Sequence, residues 1–108
     1  MEFEKLLNFI DLENKRILKR FNQESLTKEE KILIRMAKLT EEVGELSNEV
    51  LDFSNAQRHN RLSSYDKNKL GDELADVIIT TLLLAKSADV DAKKALESKI
   101  KKIDKRYE

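Results

Sequence analysis

Proline is absent and glycine occurs only twice in 108 residues, so almost nothing along this chain interrupts a helix. Cysteine is absent too, which excludes disulfides, thiolate metal sites and thiol nucleophiles and fits a reducing compartment. There is no tryptophan and a single histidine, His59. Neither sign of charge dominates. Twenty-one basic residues balance twenty-one acidic ones, so the general pull on nucleic acid or anionic membrane is weak, and any anionic ligand has to be gripped locally. Long hydrophobic runs are missing as well. The most apolar stretch, VIITTLLLA at 77–85, is far short of the roughly 20 residues that span a bilayer. The acidic, amphipathic start MEFEKLLNFIDLENK does not read as a signal peptide. These absences predict a cytoplasmic protein that partners neither nucleic acid nor membrane.

What the chain does contain is helix-forming sequence. Charged residues make up 39%, and Leu, Lys, Glu and Ala are prominent, which predicts a single all-α domain over residues 1–108. Phe3, Leu6, Leu7, Ile10, Ile17, Leu18 and Phe21 repeat at helical spacing and predict a first helix over 2 to about 22. Thr27 and Glu30 have the spacing of a capping box opening a second helix. That helix carries an apolar seam, Ile32, Met36, Leu39, Val43, Leu46, Val50 and Phe53. Residues 54–65 lose the period and read as a loop, with Asp66 capping a third helix that runs to about Lys86. Asp91 should cap a fourth, with Ala95, Leu96, Ile100 and Ile103 turned inward. The expected subunit has four helices with long antiparallel central ones. Because Ile78, Ile79, Leu82 and Leu83 extend the apolar surface of the third helix beyond its Leu70, Leu74, Val77 seam, a second copy should cover it. Leu82→Glu is then expected to impair assembly.

Two acidic runs carry the chemistry: Glu41, Glu42 and Glu45 in TEEVGELSNEV, and Glu73 and Asp76 in GDELADVIITTLLLA. At about 100° per residue, Glu42 and Glu45 lie roughly 60° and 120° to one side of the seam set by Leu39, Val43 and Leu46. Glu73 and Asp76 have the same signed offsets from Leu70, Leu74 and Val77. Antiparallel helices packed seam to seam are related by a two-fold axis, so equal signed offsets fall on one side and the four carboxylates converge. Glu41 lies further round, outside the ligand set or on a second ion. Asp76 adjoins the uncharged 77–85 run and is expected to be at least partly buried, where an anion needs a compensating cation. All-oxygen ligation points to Mg²⁺ or Mn²⁺ rather than zinc or copper. With one His, the di-iron bundles, which need ExxH on two helices, do not fit. A solvated acidic helix face is the plain alternative for either run alone, but matched offsets on two helices favour the metal.

These residues carry a resemblance. Glu41-Glu42-Val43-Gly44-Glu45 followed by Glu73-Leu74-Ala75-Asp76, with similarity from about Lys38 to Tyr107, resembles the MazG-type members of the all-alpha nucleoside triphosphate pyrophosphohydrolase superfamily. The resemblance implies a helical bundle that forms a homodimer or a homotetramer built as a dimer of dimers. It also implies Mg²⁺ on Glu42, Glu45, Glu73 and Asp76, and hydrolysis of a nucleoside triphosphate to monophosphate and pyrophosphate in nucleotide-pool housecleaning. Glu41 or Glu45 is then the group expected to orient or deprotonate the attacking water. Lys99 matches a lysine often seen in the family's last helix, and Lys38 and Arg106 are further candidates to hold phosphate. A basic helix C-terminus is the better explanation of Arg106, and a helical ion pair to Glu41 and Glu42 would account for Lys38. Some family members that favour cytosine nucleotides carry Asn where Ile103 stands here, so the base is unassigned. His59, Arg58 and Arg61 are read as a solvated loop. Two other readings stand beside this one: a phosphoribosyl-ATP pyrophosphatase, and a non-catalytic helical interaction module.

Overall fold

The computed structural model describes residues 1–60 and 65–108; Arg61 lies outside the described residues. Among these, the chain is four helices and no strand: α1 (Phe3–Arg20), α2 (Lys28–Arg58), α3 (Lys67–Ser87) and α4 (Ala92–Lys105). Three of the four starts are capped as the sequence predicts. Thr27 and Glu30 form a reciprocal capping box, with Thr27 Oγ1 accepting from Glu30 N–H and Glu30 Oε1 from Thr27 N–H, both at 3.1 Å. Asp66 accepts from Asn68 N–H at 2.9 Å and Asp91 from Lys94 N–H at 3.0 Å. The helix ends need a left-handed residue, yet neither glycine supplies it. Asn22, Asn60 and Asp89 adopt positive φ instead, as short polar side chains tolerate.

α2 is longer than its apolar period implies. Residues 54–58, read as loop, continue the helix, because no Pro or Gly stops them and Ala56 gives them one buried side chain. α2 and α3 pack antiparallel as the main pair: Lys28 meets Asp89 near one end and Tyr65 meets Glu49 near the other. The seam is only half used. Leu39, Leu46, Leu70 and Val77 are half-buried between the helices, whereas Met36, Val43, Val50 and Leu74 are exposed.

α1 packs on α3, not on the backbone of α2. Ile10 meets Leu82 and Leu83, with Leu6, Ile17, Ile79 and Ala92 around them. This corrects the placement of Leu82, which is 8% exposed and belongs to the core of the chain itself; α1 covers the face that a second copy was expected to cover. Ile78, at 55%, stays exposed. Buried Arg35 spans the gap between α2 and α1, its Nη2 donating to Asn14 Oδ1 at 2.9 Å. α4 also departs from expectation. Its first residue, Ala92, packs beside the core, and Lys93 bonds Glu4 of α1 at 2.5 Å. Beyond that Ala95, Leu96, Ile100 and Ile103 are exposed rather than inward; Phe3 at the start of α1 lies beside Leu96 and Ile100 without covering them.

Candidate metal centre

Glu42 reaches the site from the middle of α2, and Glu73 and Asp76 from successive turns of α3. One carboxylate oxygen from each lies within 4.8 Å of the other two. Burial is graded across the group: Glu42 is 8% exposed, Glu73 half-buried and Asp76 exposed. The exposure of Asp76 corrects the expectation of burial. The apolar run behind it is covered by α1 only from Ile79 onward, so the turn carrying Asp76 and Ile78 opens outward. Glu45 is also exposed and stands outside the set of three, although its carboxyl lies against that of Glu42.

The electrostatics are those of carboxylates crowded without enough positive charge. The nearby charge of Glu42 raises the Glu45 carboxyl above the ordinary range, with burial, a hydrogen bond to Glu42, and Glu73 and Glu41 adding to it. Burial raises Glu73 first, then Asp76, Glu42, Glu49 and Asp72. Asp76 is raised by burial, Glu42 and Asp72, against a lowering by Lys38. Among the described residues Lys38 is the basic side chain paired with this group, its Nζ 3.3 Å from Glu41 Oε1 and 3.4 Å from Glu42 Oε1. Glu41 thereby faces Lys38, with its side chain exposed. Glu42 Oε2 and Glu73 Oε2 are both buried and accept no hydrogen bond. Leaving a buried acceptor unpaired costs about 1–3 kcal/mol, more for a charged group. Two such oxygens on facing helices, beside a third carboxylate, are an all-oxygen donor set that fits a hard divalent cation.

Two candidate phosphate ligands are not brought to this group within one chain. Lys99 is exposed on α4 and Arg106 is the C-cap residue of that helix, and no ion pair links either to the carboxylates among the described residues. His59 is the exposed C-cap of α2. Sequence reasoning passed over Glu49, a half-buried carboxylate that accepts the Tyr65 hydroxyl at 2.8 Å and whose charge reaches Glu73. Seven residues from Glu42, it repeats that residue's helical face, which was the signal available.

An all-helical chain with facing carboxylates on antiparallel helices defines the class, and comparison with known proteins gives the family. The chain matches the family model of the MazG nucleotide pyrophosphohydrolase domain over residues 30–108 and belongs to that family. α1 lies before the matched region. No curated protein and no solved structure matches the chain. Membership suggests nucleotide pyrophosphohydrolase activity, and no described helix is long and apolar enough to cross a membrane.

Proposed function

We propose that this chain is a Mg²⁺-dependent hydrolase that cleaves a nucleoside or deoxynucleoside triphosphate at the α-phosphorus, releasing nucleoside monophosphate and pyrophosphate. The supporting observation is the pair of buried, unpaired oxygens on Glu42 and Glu73 in a chain of the MazG family. Glu42, Glu73 and Asp76, with Glu45 at the rim, would hold Mg²⁺, or Mn²⁺ in its place. Bound there, a divalent ion neutralises phosphate charge and acidifies water. The chain's own residues do the rest. Glu41 or Glu45 orients a water and takes its proton while the oxygen attacks the α-phosphorus and the bond to the bridging oxygen breaks. Lys38 stands beside the carboxylates on the phosphate side, and Lys99 and Arg106 are assigned to phosphate from a second copy of the chain.

The surface supports a reading of self-association. Met36, Val43 and Val50 on α2, Leu74 and Ile78 on α3, and Leu96 and Ile100 on α4 are exposed, which favours a homodimer or a dimer of dimers. We place the activity in the cytoplasm, in nucleotide-pool housecleaning. A screen of nucleoside triphosphates and phosphoribosyl-ATP with Mg²⁺, resolving pyrophosphate from orthophosphate, tests reaction and substrate together. Pyrophosphate release that disappears in Glu42→Gln and Asp76→Asn is expected. Orthophosphate as the first product, or release indifferent to both substitutions, refutes the reading. Glu41→Gln separates its two roles: a base loses about a hundredfold or more in kcat with divalent affinity intact, whereas a ligand loses divalent affinity.

A further inference from the structure

The acidic row of α2 does not stop at the metal centre. Glu42, Glu49 and Phe53 occupy nearly one face of the helix, and Tyr65, just before the N-cap of α3, closes over this end of the groove. Its hydroxyl donates to Glu49 Oε2 at 2.8 Å, and its ring meets Phe53 edge-on at 5.6 Å. Lys67 Nζ sits 5.9 Å from the Phe53 centroid, so Phe53 backs the assembly while Tyr65 remains half-buried. Toward the other end of the α2/α3 pair, one turn before Glu42, Lys38 is paired to Glu41 and Glu42.

The groove therefore has a direction. A triphosphate tail is repelled by Glu49 and drawn to Lys38. An uncharged ring and its hydroxyls suit the other end, where an aromatic face offers stacking and a carboxylate offers acceptors. A carboxylate has about four lone-pair positions, and one phenol does not exhaust them. The span is suitable as well. Glu73 and Lys67 are six residues apart on α3, roughly 9 Å along its axis, comparable to the reach of a nucleoside from its 5′ phosphorus.

We propose that the substrate lies along the α2/α3 groove in one orientation, phosphate tail toward Lys38 and nucleoside toward Tyr65 and Glu49, so that these two residues contact the nucleoside and set substrate preference. The proposal rests on the pyrophosphohydrolase reading. Tyr65 presents a ring face to the base; Glu49 accepts from a sugar hydroxyl or a base N–H and fixes the ring through the phenol.

The test is calorimetric titration, with Mg²⁺, of inorganic pyrophosphate and of the four deoxynucleoside monophosphates into wild type, Tyr65→Leu, Tyr65→Phe, Glu49→Gln and Lys38→Met. Tyr65→Leu should weaken the preferred monophosphate about tenfold or more, the worth of one stacked base, and leave pyrophosphate unchanged. Tyr65→Phe retains the ring and most of the affinity, which separates stacking from a structural role. Glu49→Gln should narrow the differences among the four monophosphates. Lys38→Met should weaken pyrophosphate and spare the nucleoside contribution. Equal loss of both ligands in Tyr65→Leu, or monophosphate binding indifferent to Tyr65 and Glu49, overturns the orientation while the hydrolase reading stands. Wild type that binds neither ligand overturns both.

Discussion

Replacing Glu42 by Gln removes one charge from the most buried carboxylate of the site while keeping its shape. In the metal-free protein Glu42 Oε2 has no partner and Glu73 Oε2 has none either, so the Gln side-chain NH₂ gains an acceptor across the groove and the repulsion on Glu73 and Asp76 falls. Lys38 loses an ion pair at 3.4 Å but keeps Glu41 at 3.3 Å, and such partly exposed pairs are worth about 0–1 kcal/mol. Relief of an unpaired buried acceptor, about 1–3 kcal/mol, should exceed that loss. The variant is therefore expected to be more stable than wild type in EDTA by about 1 kcal/mol, or about 4–8 °C in Tm for a domain of this size. Divalent ions reverse the order. At a hundred times Kd a ligand bound only by the native state adds about 2.7 kcal/mol, which wild type gains and Glu42→Gln largely loses. Scanning calorimetry of both proteins with and without Mg²⁺ or Mn²⁺, at matched protein concentration, reads all four states. A variant less stable than wild type in EDTA, or one with an undiminished divalent shift, would sink the argument that an ion belongs between these oxygens.

The raised carboxyls of Glu73, Asp76 and Glu45 hold protons in the folded chain at pH values where the unfolded chain has released them. Their contribution is complete below the ordinary carboxylate range and is lost as pH rises through the raised values. In EDTA, Glu73→Gln should thus lose less Tm than wild type as pH rises above the ordinary carboxylate range, and the divalent shift of wild type should grow over the same rise as those protons leave. Leu82→Ala should cost about 2–5 kcal/mol by urea unfolding, whereas Ile78→Glu should leave helicity intact and lower the mass in analytical ultracentrifugation; the opposite pattern contradicts the assigned faces. Gly44 has no atom within 4 Å of an added Cβ, so Gly44→Ala should raise Tm by the equivalent of about 1 kcal/mol. Loss in Gly44→Ala of the Tm rise that Mg²⁺ and pyrophosphate give wild type would show that a ligand needs that space.

Elements with a local cause were legible: the capping box at Thr27, the Asp66 and Asp91 caps, and four helices in a chain without proline. The reach of α2 through residues 54–58 was not, because polar residues are compatible with helix and a lone inward Ala56 carries no period. Interior and exterior faces were harder still. Periodicity marks a face as apolar without naming what covers it, so Leu82 is expected against a neighbouring copy when α1 covers it, and the stripe of α4 is expected inward when it stays exposed.

The carboxylates show how a small error in one angle separates what sequence gives from what packing decides. Glu42 and Glu73 share one offset from their seams, and Glu45 and Asp76 a larger one. Because α2 and α3 leave Val43 and Leu74 outside their contact, the helices are rolled toward the acidic side. The inner pair is consequently drawn into the interface, with buried unpaired oxygens, and the outer pair remains at the rim. The same roll exposes an apolar strip on the reverse face of both helices. Burying two carboxylates and exposing that strip are costs with one geometric origin, and on the proposed reading each would be relieved from outside the chain, the first by a cation and the second by another copy. Divalent binding and self-association should therefore respond together to a substitution that changes the roll, such as Leu46→Ala, and independently to Glu42→Gln and Ile78→Glu.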